Sequence, residues 1–200
     1  MVAELAAAVE VVRDPCVQGG LRSARGPGRE ITGSEGRALG SSMLLRRVSP
    51  EVVSAGGEIL EAGFDATESE EVYAEERENF ILCDVGQQWQ MMDALISGNR
   101  QGSSGPECLP VLGGDFLVIV GGAPNSISWL SGERVAQASR FLQGADFDEL
   151  ARVHRAALDE LFGAFPEGLL EEARGIFEEL RAFYLAAAQA GQAVVKRFYA

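Results

Sequence analysis

The chain has 200 residues, 46% of them hydrophobic, and 30 acidic against 17 basic side chains give it a net charge of −13. That length suffices for one domain with a core of its own, and the negative balance excludes nucleic acid as a partner, because phosphate binding is driven by clustered lysine and arginine. Cys16, Cys83 and Cys108 are an odd number with no CxxC pair, which excludes a disulfide framework and a cysteine zinc site; with no secretory leader and no apolar run of membrane-spanning length, a cytoplasmic location is expected.

Residues 1–42 stand apart from the rest. A short helix over Ala3–Val12 gives way to a Gly-, Arg- and Ser-rich stretch with neither helical nor strand period, the composition of a linker or disordered tail. Arg13, Arg22, Arg25, Arg29 and Arg37 balance Glu4, Glu10, Asp14, Glu30 and Glu35, so the whole −13 belongs to residues 43–200. The expected organisation is a disordered or spurious extension over 1–42 and one domain over 43–200.

Met43–Val48 (MLLRRV) reads as an opening strand. Ser49-Pro50-Glu51 then has the hydroxyl, the proline and the acid that start a helix, with Val52, Val53, Ile59 and Leu60 as its apolar side and Gly56-Gly57 weakening it. The acid-rich run Glu68–Glu78 lacks the DxDxDG pattern of a calcium loop and is expected to be a solvated surface. Asp84 follows the short apolar run Phe80–Cys83 and is expected to cap a helix over Val85–Ile96, with Val85, Trp89, Met92, Leu95 and Ile96 inward and Gly98 closing it. Asn99–Pro106 is a loop. Phe116–Val120 (FLVIV) is the most strand-like run in the chain; Gly121–Asn125 turns it back into a paired strand, Ile127–Leu130.

Ser131 caps a helix reaching about Leu142, with Val135, Ala138, Phe141 and Leu142 inward. Asp146 and Glu149 have capping-box spacing for a helix with Phe147, Leu150, His154, Ala157, Leu158 and Leu161 on its apolar face. Beyond Pro166, Leu169, Ala173, Ile176, Leu180, Phe183 and Ala187 recur at three- and four-residue steps, the broad stripe of a long amphipathic helix. Gly191 closes it, and Ala193–Tyr199 (AVVKRFY) returns as a strand. The fold class is therefore α+β: several helices packed on a small mixed or antiparallel sheet, with a long C-terminal helix followed by a final strand.

No catalytic or metal signature accompanies this pattern, and no cofactor is expected. His154 is the only histidine and lies on an apolar face, where a structural imidazole is the plainer reading; no G-x-S-x-G elbow supplies it with a nucleophile. Gly113-Gly114 and Gly121-Gly122 flank a strand and match neither dinucleotide nor P-loop spacing, so they read as turns. Trp89 falls in a helical stripe and reads as core, while Trp129 is open to a core or a pocket role.

Three stretches together resemble a known family. Asp84 and Trp89 lead a segment ending Leu95-Ile96-Ser97-Gly98. Val111-Leu112-Gly113-Gly114, Gly121-Gly122-Ala123-Pro124 and Trp129-Leu130-Ser131 follow in order. The chain closes on Leu180-Arg181-Ala182-Phe183-Tyr184, Ala187-Ala188, Gly191 and Ala193-Val194-Val195. This order is similar to that of the bacterial YfbM-like family (domain of unknown function 1877), with Gln90 and Met91 standing where a histidine is expected. The resemblance implies an α+β fold over roughly 43–200 and no established activity. The functional expectation is a non-enzymatic interaction protein that binds a basic protein partner through an acidic surface, an immunity-type protein masking a basic toxin being one concrete form. The alternative is a small-molecule-binding domain or enzyme with a pocket near Trp89, Trp129 and Gly121–Asn125; Asp84, Trp89, Gly121, Gly122, Asn125, Trp129 and His154 are the candidate ligand-binding residues. Neither a nucleic acid nor a membrane partner is expected.

Overall fold

The structure, a computed structural model, describes residues 41–65, 69–98, 105–117 and 127–199. Strand β1 (Ser42–Val48) sends Met43 and Leu45 to one buried surface and Leu44 to another, so both of its faces are covered. Helix α1 (Pro50–Ala55) begins on proline at the first helical position, where the missing N–H is no loss. The glycine pair divides what was expected as one helix into two: Gly56, at φ +109, separates α1 from α2 (Gly57–Asp65). The acid-rich run forms a helix of its own, α3 (Glu70–Glu78).

Asp84 does not cap a helix. Leu82–Gly86 is strand β2, antiparallel to β1 with Asp84 opposite Leu44, and helix α4 (Trp89–Ser97) starts only at Trp89. Cys83 and Val85 join one buried cluster and Leu82 the other, a period-two alternation that strand pairing satisfies and a helix would not. Gly98 closes α4 at φ +67, as its sequence position suggested.

A 3-10 turn at Pro106–Cys108 leads to the short strand β3 (Asp115–Leu117), which pairs antiparallel with β4 (Ile127–Leu130). The rest of the FLVIV run and the Gly121–Asn125 turn lie outside the described residues. Helix α5 (Gly132–Gly144) is capped by the Ser131 hydroxyl, which accepts from the Arg134 N–H at 3.4 Å, and α6 (Phe147–Val153) by Asp146, which accepts from the Glu149 N–H at 2.9 Å. The helix expected to continue to Leu161 breaks at His154, where α7 (Arg155–Phe162) takes over. Helix α8 (Leu169–Gln189) buries Ala173, Phe177, Leu180, Phe183, Tyr184 and Ala187, the centre of the stripe that its periodicity marks. It ends with Gly191 at φ +63, the N–H groups of Gly191 and Gln192 bonding the carbonyls of Ala188 and Ala187, a Schellman closure.

The final strand, β5 (Ala193–Tyr199), is the middle of the sheet. The order is β2-β1-β5-β4-β3 with every pair antiparallel. One face carries the main core, where Val194 and Leu45 meet side chains of α4 to α8; the other carries a smaller cluster of Val195, Ile127 and Leu82 under Leu60 and Phe64 of α2 and Tyr73 of α3. Five consecutive residues of β5, Ala193 to Arg197, are buried, as expected for a strand covered on both sides. Among the described residues no helix is long and apolar enough to cross a membrane.

One of those five is a lysine. Lys196 is 0% exposed, and its Nζ donates to the carbonyls of Leu109, Val111 (2.8 Å) and Gly113 (2.6 Å). Three acceptors use all three ammonium protons, while the Tyr184 hydroxyl holds the Pro110 carbonyl at 2.9 Å. Segment 109–113 is thus drawn down onto the sheet, and its glycines serve that close approach. A Cβ on Gly113 would lie 2.7 Å from the Cys108 oxygen, and one on Gly114 would lie 2.8 Å from the Trp129 oxygen. Burial pushes the Lys196 pKa well below its usual value and the Arg134 charge adds to this, while Asp93 pulls the other way. The three carbonyls favour the charged form in the same sense as Asp93. Asp93, 7% exposed on α4, has its own pKa pushed up to about 6 by burial, against a Ser97 hydrogen bond and the Lys196 charge.

Phe177→Ala should cost about 3–5 kcal/mol, because the ring is wholly buried, whereas Glu178→Ala, on the exposed side, should stay within about 0.5 kcal/mol in denaturant unfolding. Lys196→Met keeps the stem and strands three buried carbonyls, so it should cost on the order of 3–5 kcal/mol by the same measurement. Asp93 titrates near 6 in the folded chain and near 3.8 when unfolded. The folded state therefore holds the extra proton between those values, and the group's favourable contribution below 3.8 is lost as pH rises through 6. Asp93→Asn should match wild type at pH 3.5 and exceed it by about 2–3 kcal/mol above pH 7. An advantage for the variant that did not grow with pH would contradict this.

Candidate functional site

The amphipathic character of α3 decides what its two sides do. Inward, the Arg46 guanidinium of β1 donates to both Glu76 carboxylate oxygens and, at 2.9 Å, to the Gly63 carbonyl, fixing α3 to the sheet and to α2. Tyr73 packs into the smaller core cluster, and its hydroxyl donates to the Asp84 carboxylate. Desolvation first, and then that hydrogen bond and the Asp84 charge, push the Tyr73 pKa up to about 12, so the phenol stays a donor. Arg77 turns toward α8, where it donates to both oxygens of Glu179 at 2.7–2.8 Å and lies 5.7 Å from the Tyr73 ring centre. The outward side is different in kind: Glu70, Glu71, Glu75 and Glu78 are exposed, and among the described residues they take part in no ion pair.

The end of α3 is built like the end of α8, with one substitution. Phe80 and Ile81 donate their N–H groups to the carbonyls of Arg77 and Glu76, the same Schellman pattern. Where α8 uses Gly191, α3 uses Phe80 at φ +52, a conformation that costs a side-chain-bearing residue about 1–2 kcal/mol. The ring is 41% exposed. It borders an open groove of about 530 Å³ whose walls are Tyr73, Ala74 and Phe80 and whose rim carries Glu70, Glu78 and the Arg77–Glu179 pair. This groove presents aromatic faces and unneutralised carboxylates to solvent, the chemistry of a surface that receives cations. None of its side chains is arranged as a nucleophile with an adjacent base.

Of the residues singled out from the sequence that lie among the described residues, only Asp84 adjoins the groove, from behind, through Tyr73. Trp89 lies in the main core, its indole N–H on the Ser41 carbonyl at 3.1 Å and its ring edge-on to Phe198 at 5.4 Å. Trp129 lies opposite Val195 in the smaller cluster, and its buried indole N–H has no partner among the described residues. The two tryptophans sit on opposite faces of the sheet and share no groove. His154 is the joint between α6 and α7; its Nδ1 is 2.7 Å from the Leu95 carbonyl, and its ring fills the space a Cβ on Gly98 would need, 2.8 Å away. Gly121, Gly122 and Asn125 lie outside the described residues.

Sequence reasoning passed over Tyr73, Arg77, Phe80 and Glu179. A signal existed for one of them. Phe80 follows an Asn at the end of a charged helix, where a left-handed glycine would be the expected closure. Lys196 was equally legible, since the lysine of AVVKRFY stands in a strand run whose other members, Arg197 apart, are apolar or aromatic.

The chain was compared with known proteins in three ways. The model of a family described as a domain of unknown function, DUF1877, matches residues 40–196. No curated protein matches. Among solved structures, the crystal structure of YfbM from Escherichia coli, a protein of unknown function, is similar with a TM-score of 0.52 and 15% identity, over 79% of this chain and 99% of that one. At that identity the likeness concerns the fold alone, while the family model spans well over half of the chain, from the residues just before β1 into the last strand: this chain belongs to the DUF1877, or YfbM-like, family.

Proposed function

We propose that this protein is a non-enzymatic interaction module of the cytoplasm that docks a basic protein partner on the outer face of α3 and the adjoining groove. The observation that carries the reading is the charge pattern. Many acids elsewhere on the surface are matched by arginines: Asp148 with Arg174, Glu149 with Arg152, Asp159 and Glu167 with Arg155, and Glu178 with Arg181. Exposed acids that lack such a pair among the described residues, such as Glu51, Glu133 and Glu160, lie on three different helices. On α3, Glu71 and Glu75 are four residues apart and Glu75 and Glu78 three apart, and like charges at those spacings destabilise a helix by roughly 0.2–0.5 kcal/mol per pair. A helix that keeps four outward carboxylates uncompensated, beside an exposed aromatic ring, is arranged for a positive surface that supplies the compensation. An immunity-type protein that masks a basic toxin is the concrete form this function takes. The alternative, a small-molecule pocket near Trp89, Trp129 and Gly121–Asn125, gains no support from the two tryptophans, which the sheet separates, and Gly121–Asn125 lies outside the described residues.

The test is capture of binding proteins from cell extract at low and high salt, with identification of what is retained. Wild type should hold proteins of high isoelectric point at low salt and release them at 0.5 M salt. The variant with Glu70, Glu71, Glu75 and Glu78 all changed to Gln should fold with unchanged or slightly raised thermal midpoint and lose most of that capture. Retention of the same basic proteins by the neutralised variant would refute the assignment of the face.

A further inference from the structure

The protein repeats one arrangement on its own surface. An arginine lies over an aromatic ring while a carboxylate holds its guanidinium. Arg174 is 4.3 Å from the Phe147 ring centre with Asp148 at 2.6 Å, and Arg181 is 4.8 Å from Phe177 with Glu178 at 3.1 Å. Arg197 is 4.6 Å from Tyr199 with Asp65 at 2.9 Å, and Arg155 is 5.8 Å from Phe165 with Asp159 at 3.0 Å. Arg77, with Tyr73 and Glu179, is the instance inside the groove. A planar, weakly hydrated guanidinium suits this combination, because it stacks on a ring and still donates in its own plane to a carboxylate; a lysine ammonium is a hydrated point charge that does the second better than the first.

Phe80 has two of the three parts. Phe80 is exposed, and Glu78, Glu70 and the small side chain of Ala74 line the same groove. Among the described residues no cation lies over it; the neighbouring guanidinium of Arg77 is committed to Glu179 at both oxygens. We propose that this groove is an arginine-anchor site: the side chain of one arginine on a basic partner protein enters it, stacks on Phe80 and is held by Glu78 and Glu70. The inference rests on the docking reading above and adds the identity of the residue that is read. Charge complementarity selects a basic occupant, and the ring selects arginine over lysine.

Two peptides of equal charge separate the two ideas. The full chain, labelled with 13C and 15N and observed by NMR, is titrated with blocked tri-arginine and blocked tri-lysine, and the ring C–H resonances of Phe80 and Tyr73 are followed with the backbone amides of α3. Tri-arginine should bind roughly three- to fivefold tighter, the discrimination expected of a solvent-exposed cation–π contact, and it should shift the Phe80 ring. Phe80→Gly removes the ring at a position whose left-handed backbone glycine adopts freely. That variant should fold and bind both peptides with the lower, tri-lysine affinity. Glu78→Gln should weaken both. Equal affinities in wild type, lost together when the α3 glutamates are neutralised, would preserve the acidic docking face and overturn the arginine anchor. Failure of both peptides to bind wild type would overturn both ideas.

Discussion

A lysine at the centre of the sheet is the constraint on which the rest depends. Lys196 occupies the middle strand, wholly buried, with Leu45 as its register partner on β1 and Ser128 on β4. A buried ammonium is tolerated only when its protons are matched, and here the match is supplied by the main chain of a segment 83–87 residues earlier. That requirement dictates several features at once. Segment 109–113 must cross the sheet close enough for its carbonyls to reach Nζ, which excludes side chains at Gly113 and Gly114. Tyr184 must present its hydroxyl from α8 to Pro110, which fixes the rotation of the long helix about its axis and with it the exposed position of Glu178 and the groove-facing position of Glu179.

How much of this was legible in the sequence follows from which signals are local. The stripe of α8, the caps of α5 and α6 and the closures at Gly98 and Gly191 are each written in a few neighbouring residues, and they stand in the structure as read. Of the FLVIV strand, Phe116 and Leu117 pair with β4 as expected and the remainder lies outside the described residues. Asp84 shows where local reading fails. Its sequence context fits a cap, but β1 is available to pair with Leu82–Gly86, and that long-range pairing outweighs the local preference. The helix expected to run through His154 is also interrupted: α6 ends there and α7 begins, and the imidazole Nδ1 lies 2.7 Å from the Leu95 carbonyl on α4. The position of β5 between β1 and β4 had no local signature at all, since strand order is a property of the whole sheet.

The candidate site was harder still. Candidates chosen by residue type, the tryptophans and the single histidine, turn out to be engaged in packing or in main-chain contacts. The groove is made by residues ordinary in type and unusual in circumstance: several unpaired glutamates gathered on one helix face, and a phenylalanine where a glycine closure would be the easier choice. Composition recorded the surplus of acid but not its address. The address depends on Arg46, Tyr73 and Arg77 fixing one side of α3 to the protein, which leaves the other side turned to water.

The place of β5 also bears on the order in which the molecule is made. β1 and β2 form one antiparallel pair and β3 and β4 another, but the two pairs share no hydrogen bonds; both attach to β5, with Met43 opposite Phe198 and Leu130 opposite Val194. A ribosome releases the chain from its beginning at about 5–20 residues per second. From the completion of β2 at Gly86 for the first half-sheet, and of β4 at Leu130 for the second, until β5 is made, the inner edges are open and have no common partner, and edges of that kind invite pairing with other chains. The strand that ends the exposure is the one carrying Lys196, so the sheet is joined and segment 109–113 is fastened in the same late event. For this topology, long-range closure is a step of synthesis as well as of folding, and the vulnerable period lasts as long as the ribosome takes to pass from β2 to β5.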